Sequence, residues 1–135
     1  QVGQLYYSII VDPQCEGLRI PSMIIQPLVE NAVLHGIVPS ARQGTCTVEI
    51  YREDDHLCIQ VSDDGVGLSR EILESVNRYI AGKANEEDKK KLGIGTRNVV
   101  DRIRYVYGAS GSISVLSDAE WGTSITLMLP IEVNQ

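Results

Sequence analysis

Phenylalanine is absent from all 135 residues and aromatic side chains make up only 5% of them. The core must therefore be built from Leu, Ile and Val, which are plentiful. With an ordinary charged fraction of 22%, this describes a packed globular chain and excludes a disordered one. No stretch reaches the apolar length of a membrane span, and the N-terminus lacks a signal-peptide pattern. The chain reads as soluble, with no direct membrane contact, and it begins abruptly, as a piece of a longer protein would. Positive charge is scarce: 12 Lys and Arg face 18 Asp and Glu, a net charge of -6. That argues against a nucleic-acid partner, which needs clustered Lys and Arg. An anionic ligand would instead rely on helix N-termini and backbone amides. Cys15, Cys46 and Cys58 are odd in number and lack metal-ligand spacing, which suits buried thiols in a reducing compartment. The length fits a single domain spanning residues 1–135.

Leu5 to Val11 is β-branched and aromatic and stops at Asp12-Pro13, so it predicts a strand and a turn. Leu18 to Ile20 is expected to extend that sheet briefly. An apolar helix follows, with Ser22 as N-cap, Gly36 as its C-terminal signal and Pro27 confined to the first turn or a kink. Thr45 to Arg52 and Leu57 to Asp63 alternate in β fashion around a polar turn and read as a hairpin. Ser69 to Ile80 predicts a helix capped by Ser69 with Glu71 in its first turn. Gly82 to Leu92 carries the run Glu86-Glu87-Asp88-Lys89-Lys90-Lys91 and reads as a mobile loop. Gly95 to Tyr107 is helical and ends at Gly108, and Ser112 to Leu116 and Thr123 to Leu129 close the sheet. The expected fold is α+β: a two-layer sandwich with a mixed, mostly antiparallel sheet covered on one face by three helices.

Four short islands carry the chemistry: Gln26 to Ala32, Asp63 to Gly67, Gly93 to Asn98, and Gly122 to Ser124. On the first helix, Gln26, Glu30, Asn31 and His35 share one half and Leu28, Val29, Ala32 and Val33 the other. A solvated face is the plain account of the first half, yet it bears no Lys or Arg and sets a carboxylate beside a carboxamide. The Asn31 oxygen, with phosphate oxygens, suits Mg2+, and Glu30 can orient a nucleophile or accept its proton. Asp63 ends an apolar strand and fits either a plain Asp-Asp-Gly turn or an acceptor for an exocyclic amine such as adenine N6, with Gly65 and Gly67 letting backbone approach the ring. Gly93-Ile94-Gly95-Thr96 opens a helix, so its turn is either a flexible loop end or a phosphate cradle, with Arg97 and Asn98 in reach of phosphate or metal. Thr123 begins the last strand at a hairpin turn and can add a hydroxyl near Asp63.

In this order the islands resemble the N, G1, G2 and G3 boxes of the GHKL superfamily of gyrase-type and mismatch-repair ATPases, heat-shock chaperones and histidine kinases. Gln26-Pro27-Leu28-Val29-Glu30-Asn31-Ala32 followed by His35-Gly36, and Gly-x-Gly-x-x-Asn-Val running into Asp101-Arg102-Ile103, are most similar to LytS/YesM-type bacterial sensor histidine kinases. The likeness runs from about Ile20 to Pro130. It implies the Bergerat fold and a catalytic domain binding ATP and Mg2+. Asn31 would ligate the metal, Glu30 would be the catalytic carboxylate, and Asp63 would read the adenine amine. Gly65 and Gly67 would shape the adenine pocket. Gly93, Ile94, Gly95, Thr96 and Asn98 would line the phosphate turn and lid hinge, Thr123 would support Asp63, and residues 69–92 would form the ATP lid. Leu34 stands where many relatives carry a basic residue, passing that contact to His35, the lid lysines or backbone amides. Thr96 replaces a common Leu, and the F box of other kinase subfamilies is missing.

The resemblance further implies transfer of the γ-phosphoryl group to a histidine on a dimerisation domain of the same protein, for relay to a response regulator. The domain would be cytoplasmic, monomeric when isolated, and part of a membrane-anchored sensor. Neither His35 nor His56 sits in a two-helix hairpin suited to receive phosphate. Two alternatives stand beside it: a GHKL ATPase driving a conformational cycle, which usually borrows a lysine from a following domain, and a nucleotide-sensing pseudokinase.

Overall fold

The structure, a computed structural model, describes residues 5–20, 24–37 and 44–131. Five strands form one sheet: β1 (Leu5–Val11), β2 (Gly44–Glu53), β3 (His56–Asp63), β4 (Ser112–Asp118) and β5 (Gly122–Pro130). Their order is β1-β2-β3-β5-β4. β1 runs parallel to β2, and the other three pairings are antiparallel, which is the mixed sheet that two hairpins and two helical crossovers, β1 to β2 and β3 to β4, produce.

Period-two alternation sorts the residues between two faces. Val48, Val61, Ile125 and Val115 lie side by side across β2, β3, β5 and β4, as do Ile59 and Leu127. These residues are all buried or pack against the buried core. On the other face Ser62 and Ser124 exchange a hydroxyl hydrogen bond at 3.1 Å, and the Gln60 carboxamide donates to Thr126 Oγ1 at 3.3 Å. One face is thus apolar and covered, while the other mixes these polar pairs with Tyr51, Cys58, Met128 and Leu116, a layered α+β arrangement.

The cover comes from α1 (Ile25–Asn31), α2 (Arg70–Ile80), α3 (Glu86–Lys91) and α4 (Ile94–Tyr107). α1 buries Leu28 and, just beyond its end, Ala32, while Gln26 and Glu30 stay exposed, as a 100° turn per residue dictates. Pro27 sits in its first turn, where no N–H is required. α2 is capped by Ser69, whose hydroxyl accepts from Ile72 N–H at 3.2 Å. α4 lays Val99 and Ile103 on the main core, and Val100 on a second cluster with Val76, Tyr79, Leu92 and Val115. The Tyr79 hydroxyl donates to Asp101 Oδ1 at 2.6 Å, and Arg104 stacks over the Tyr79 ring while donating to the carbonyls of Tyr79 and Ile80. All three cysteines are buried and unpaired; burial pushes the Cys46 thiol up to about 11, with the adjacent Asp63 adding to the rise.

Four expectations need correction or delimiting. Leu18 to Ile20 forms no strand, because β1 already occupies the edge beside β2 with the seven-residue register Leu5↔Gly44 to Val11↔Ile50. The first helix does not stop at Gly36; it continues from Ala32 to Ile37 as a π-helix. Ser22 lies outside the described residues. Gly82 to Leu92 contains α3 rather than an unstructured loop, so four α-helices, not three, occur among the described residues. Most of the charge run is exposed, but its order also builds a helix. Asn85 and Asp88 form a reciprocal capping box, acids fill the first turn and lysines the last. Asp88, 2% exposed, accepts from Arg78 Nε at 2.9 Å and Nη2 at 2.7 Å, from the Ser75 hydroxyl at 2.8 Å and from Asn85 N–H at 3.0 Å. Arg78 first, and these hydrogen bonds after it, hold the Asp88 carboxyl well below the usual carboxylate range.

Candidate active site

The sheet register builds one end of the site. Cys46, Asp63, Thr123 and Ser117 are cross-strand neighbours in one row, placed beyond the last apolar row on the helix-facing side. Asp63 is 8% exposed. Its Oδ1 accepts from the Gly65 N–H at 2.9 Å. Burial pushes its carboxyl up from the ordinary value, the Gly65 N–H pulls it back, Asp64 raises it again, and the Thr123 N–H lowers it. A desolvated carboxylate with few donors around it seeks a donor from a ligand. Ser117 Oγ accepts from Leu68 N–H at 2.7 Å and meets Thr123 Oγ1 at 2.8 Å, fixing the chain after Gly67 against the β4–β5 hairpin.

The glycines of this end are demanded by contact. A Cβ on Gly65 would lie 2.0 Å from the Gly36 carbonyl carbon, and one on Gly36 would lie 2.5 Å from Asp63 Oδ1. Val66 N–H donates to the Gly36 carbonyl at 3.0 Å. The end of the first helix and the turn after β3 therefore meet backbone to backbone. Gly67 has φ +75° and would clash with the Asp118 carbonyl at 2.5 Å if it carried a side chain, so no other residue fits there without strain.

The opposite end is formed by α1 and the start of α4. Asn31 Nδ2 donates to Thr96 Oγ1 at 2.8 Å, and a Cβ on Gly95 would sit 3.2 Å from Asn31 Oδ1. Gly93 is the N-cap of α4 with no side-chain cap, so the first-turn N–H groups are presented as donors with the positive end of the helix dipole behind them. Glu30 is exposed and accepts from the Gln26 carboxamide at 3.2 Å. On the third side, Lys91 pairs with Glu71 at 2.7 Å and Lys90 with Glu87 at 3.7 Å.

These elements surround a cavity of about 510 Å³, whose wall includes Asn31, Gly36, Asp63, Gly67, Gly93, Thr96 and Thr123, together with Lys90 and Lys91 and the apolar side chains of Leu28, Val61, Ile72, Val76, Leu92, Val115 and Ile125. It is of a size that takes a nucleotide, with a buried acceptor at one end, apolar walls between, backbone donors and an amide at the other, and two lysines on the third side.

Residues 18–133 match the family of histidine kinase-, DNA gyrase B-, and HSP90-like ATPases. The chain belongs to this ATPase family. The sensor histidine kinase YpdA of Escherichia coli is 37% identical over 111 residues, 82% of this chain and 18% of that protein; YesM of Bacillus subtilis is 28% identical over 127 residues, 94% of this chain and 20% of its own length. The chain thus spans about a fifth of these relatives. Among solved structures, the histidine kinase domain of the Erythrobacter litoralis EL346 blue-light activated kinase shares the fold with a TM-score of 0.66 at 15% identity, covering 94% of this chain and 55% of that one. ATP is the ligand class that this ATPase family binds.

Within this ATPase fold, six residues singled out from sequence line the cavity: Asn31, Asp63, Gly67, Gly93, Thr96 and Thr123. Gly65 and Gly95 stand behind its wall, each against a neighbour that does line it. Ile94 is 76% exposed and Asn98 is exposed on α4; neither side chain lines the cavity, nor does that of Glu30. The His35 side chain lies outside the described residues. Gly36 and Ser117 were not among the site residues picked out by sequence. The Gly36 contact appears only when the helix end meets the turn after β3, and Ser117 only through its register with Thr123. No group of three or more His, Cys, Asp or Glu suited to a metal occurs among the described residues. A carboxamide oxygen with few carboxylates around it fits Mg2+ carried in by phosphate oxygens rather than a resident metal.

Proposed function

We propose that this chain is the single catalytic ATP-binding domain of a LytS/YesM-type sensor histidine kinase, a piece of a longer membrane-anchored protein with this domain on the cytoplasmic side. The carrying observation is the cavity that joins Asp63 and Thr123 at one end to Asn31, Thr96 and the uncapped start of α4 at the other. Asp63 accepts from the adenine amine, Thr123 supports it, and Gly65 and Gly67 admit the ring. Residues 69–92 are the ATP lid; Lys90 and Lys91 on it supply the positive charge that Leu34 does not. Asn31 lines the phosphate end and holds Mg2+ through its oxygen, His35 is taken as a phosphate contact on the family resemblance alone, and the metal, when bound with ATP, neutralises charge on the phosphate oxygens.

In the transfer, a ring nitrogen of the acceptor histidine forms a bond to the γ-phosphorus as the bond from that phosphorus to the β,γ-bridging oxygen breaks, and ADP leaves. Glu30 is the catalytic carboxylate. It accepts a hydrogen bond from the other ring N–H and stabilises the cationic ring as the new bond forms. Its exposure beside Asn31 suits a partner arriving from outside, namely the phosphoacceptor histidine of the dimerisation domain of the same protein, with a response regulator downstream. The isolated domain is expected to be monomeric, to bind ATP and to transfer poorly.

The test is calorimetry of Mg-ATP binding to the 135-residue chain, followed by transfer of labelled γ-phosphate to a supplied dimerisation domain from a relative. Binding with transfer that Glu30→Gln abolishes is the expected result. Transfer that survives Glu30→Gln with binding unchanged would remove Glu30 from its role, and absence of ATP binding would remove the whole reading.

A further inference from the structure

The Asn31 carboxamide carries an oxygen and a nitrogen on one carbon, and only the oxygen can ligate a divalent cation. A half-turn about the last side-chain torsion would exchange them. The structure constrains that choice through one partner: Nδ2 donates to Thr96 Oγ1 at 2.8 Å, a part-buried hydrogen bond between groups 65 positions apart in sequence. Both side chains lie on the cavity wall, and the carboxamide rests against Gly95, where a Cβ would be 3.2 Å from its oxygen. A leucine, the residue the family resemblance leads one to expect at position 96, has no acceptor to offer. With the nitrogen committed to Thr96, Oδ1 is the atom left for the cavity.

We propose that Thr96 is a positioning residue for the metal, anchoring the Asn31 carboxamide through the Nδ2–Oγ1 bond so that its oxygen is free for a divalent cation bound with the nucleotide phosphates. This rests on reading the cavity as a Mg-ATP site. The contact also ties the first turn of α4 to α1, so that metal occupancy depends on how the two helices stand relative to each other.

The probes are Mn2+ and a non-hydrolysable ATP analogue on the 135-residue chain. Electron paramagnetic resonance gives the Mn2+ affinity of the nucleotide complex, and titration in excess chelator gives the metal-free nucleotide affinity. Thr96→Val keeps the shape and removes the acceptor; Thr96→Ser keeps the acceptor. The valine variant is expected to hold Mn2+ about three- to tenfold more weakly, the scale of one hydrogen bond. Its metal-free nucleotide affinity should fall by clearly less than its Mn2+ affinity does, and the serine variant should match the parent. Unchanged Mn2+ affinity in Thr96→Val overturns the inference, as does an equal loss with and without metal, or a serine variant as weak as the valine one. A parent chain that binds nucleotide without any Mn2+ dependence removes the Mg-ATP reading itself, and this inference with it.

Discussion

Asp63, the proposed adenine contact, costs folding free energy when it is charged. Its raised carboxyl means that the folded state holds the proton more tightly than the unfolded chain does. Its contribution to stability is therefore full below the ordinary aspartate range and is lost as pH rises through the raised folded value. At neutral pH the charged form is a net cost. Asp63→Asn keeps an acceptor for the Gly65 N–H, so melting at pH 7 is expected to move to higher temperature, with the gain disappearing on acidification below the ordinary carboxylate range. The same substitution is expected to weaken ATP binding by about 1.5–3 kcal/mol, the scale of a charged hydrogen bond. Calorimetry finding full affinity would end the adenine role. Asp63 was legible in sequence because it ends an alternating apolar strand before two glycines. Its neighbour Ser117 was not, since only strand register brings it to Thr123. Thr96 was legible as a departure from the family pattern, but its bond to Asn31 was not, because nothing in local spacing relates residues so far apart.

At the scale of elements, the segment from Gly82 to Leu92 is where sequence and structure differ most. Six consecutive charges read as a mobile loop, yet the pattern Asn-x-x-Asp at positions 85 and 88 is also a capping box. What the spacing hides is burial: Asp88 enters a pocket made by Ser75 and Arg78 of α2, so α2 and α3 behave as one folded unit carrying Lys90 and Lys91 to the cavity. The Asp88 carboxyl is depressed, so its contribution is present above the ordinary aspartate range and lost as pH falls through the depressed value. Asp88→Asn is accordingly expected to speed protease cleavage within residues 82–92 at neutral pH while leaving the cleavage pattern of the sheet unchanged. Cleavage at the parental rate would mean that the pair does not hold this segment. The junction of the first helix with the turn after β3 has the opposite character, with no spare room. Gly65→Ala would drive a methyl into the Gly36 carbonyl, and loss of ATP binding together with a lowered melting temperature is expected. A fully active Gly65→Ala chain would show that this backbone approach is not needed.

For the molecule as a whole, the sandwich could be drawn from sequence because alternation and hairpin spacing determine faces and antiparallel neighbours. The parallel docking of β1 on β2 depends instead on a crossover whose packing only the folded chain displays. With a net charge of -6, attraction for a polyanion must come from the local amides and lysines of one cavity. Binding should then act as a conformational clamp. At a hundredfold excess over the dissociation constant, Mg-ATP is expected to add about 2.7 kcal/mol to the unfolding free energy. Thermal melts should show this for the parent chain and show much less of it for Asn31→Ala. Equal shifts in both would mean that the carboxamide has no part in holding the ligand.

The π-helical run from Ala32 to Ile37 has a rotational consequence. In ordinary α-helical winding, at about 100° per residue, positions five apart would stand roughly 140° from each other. Asn31 and Gly36 could then hardly border the same space. Hydrogen bonding from i to i+5 stacks positions five apart close to one another along the helix, and both residues do border the one cavity. The wider winding thus acts as a phase correction, bringing the Asn31 amide and Gly36 onto a single side of one helix.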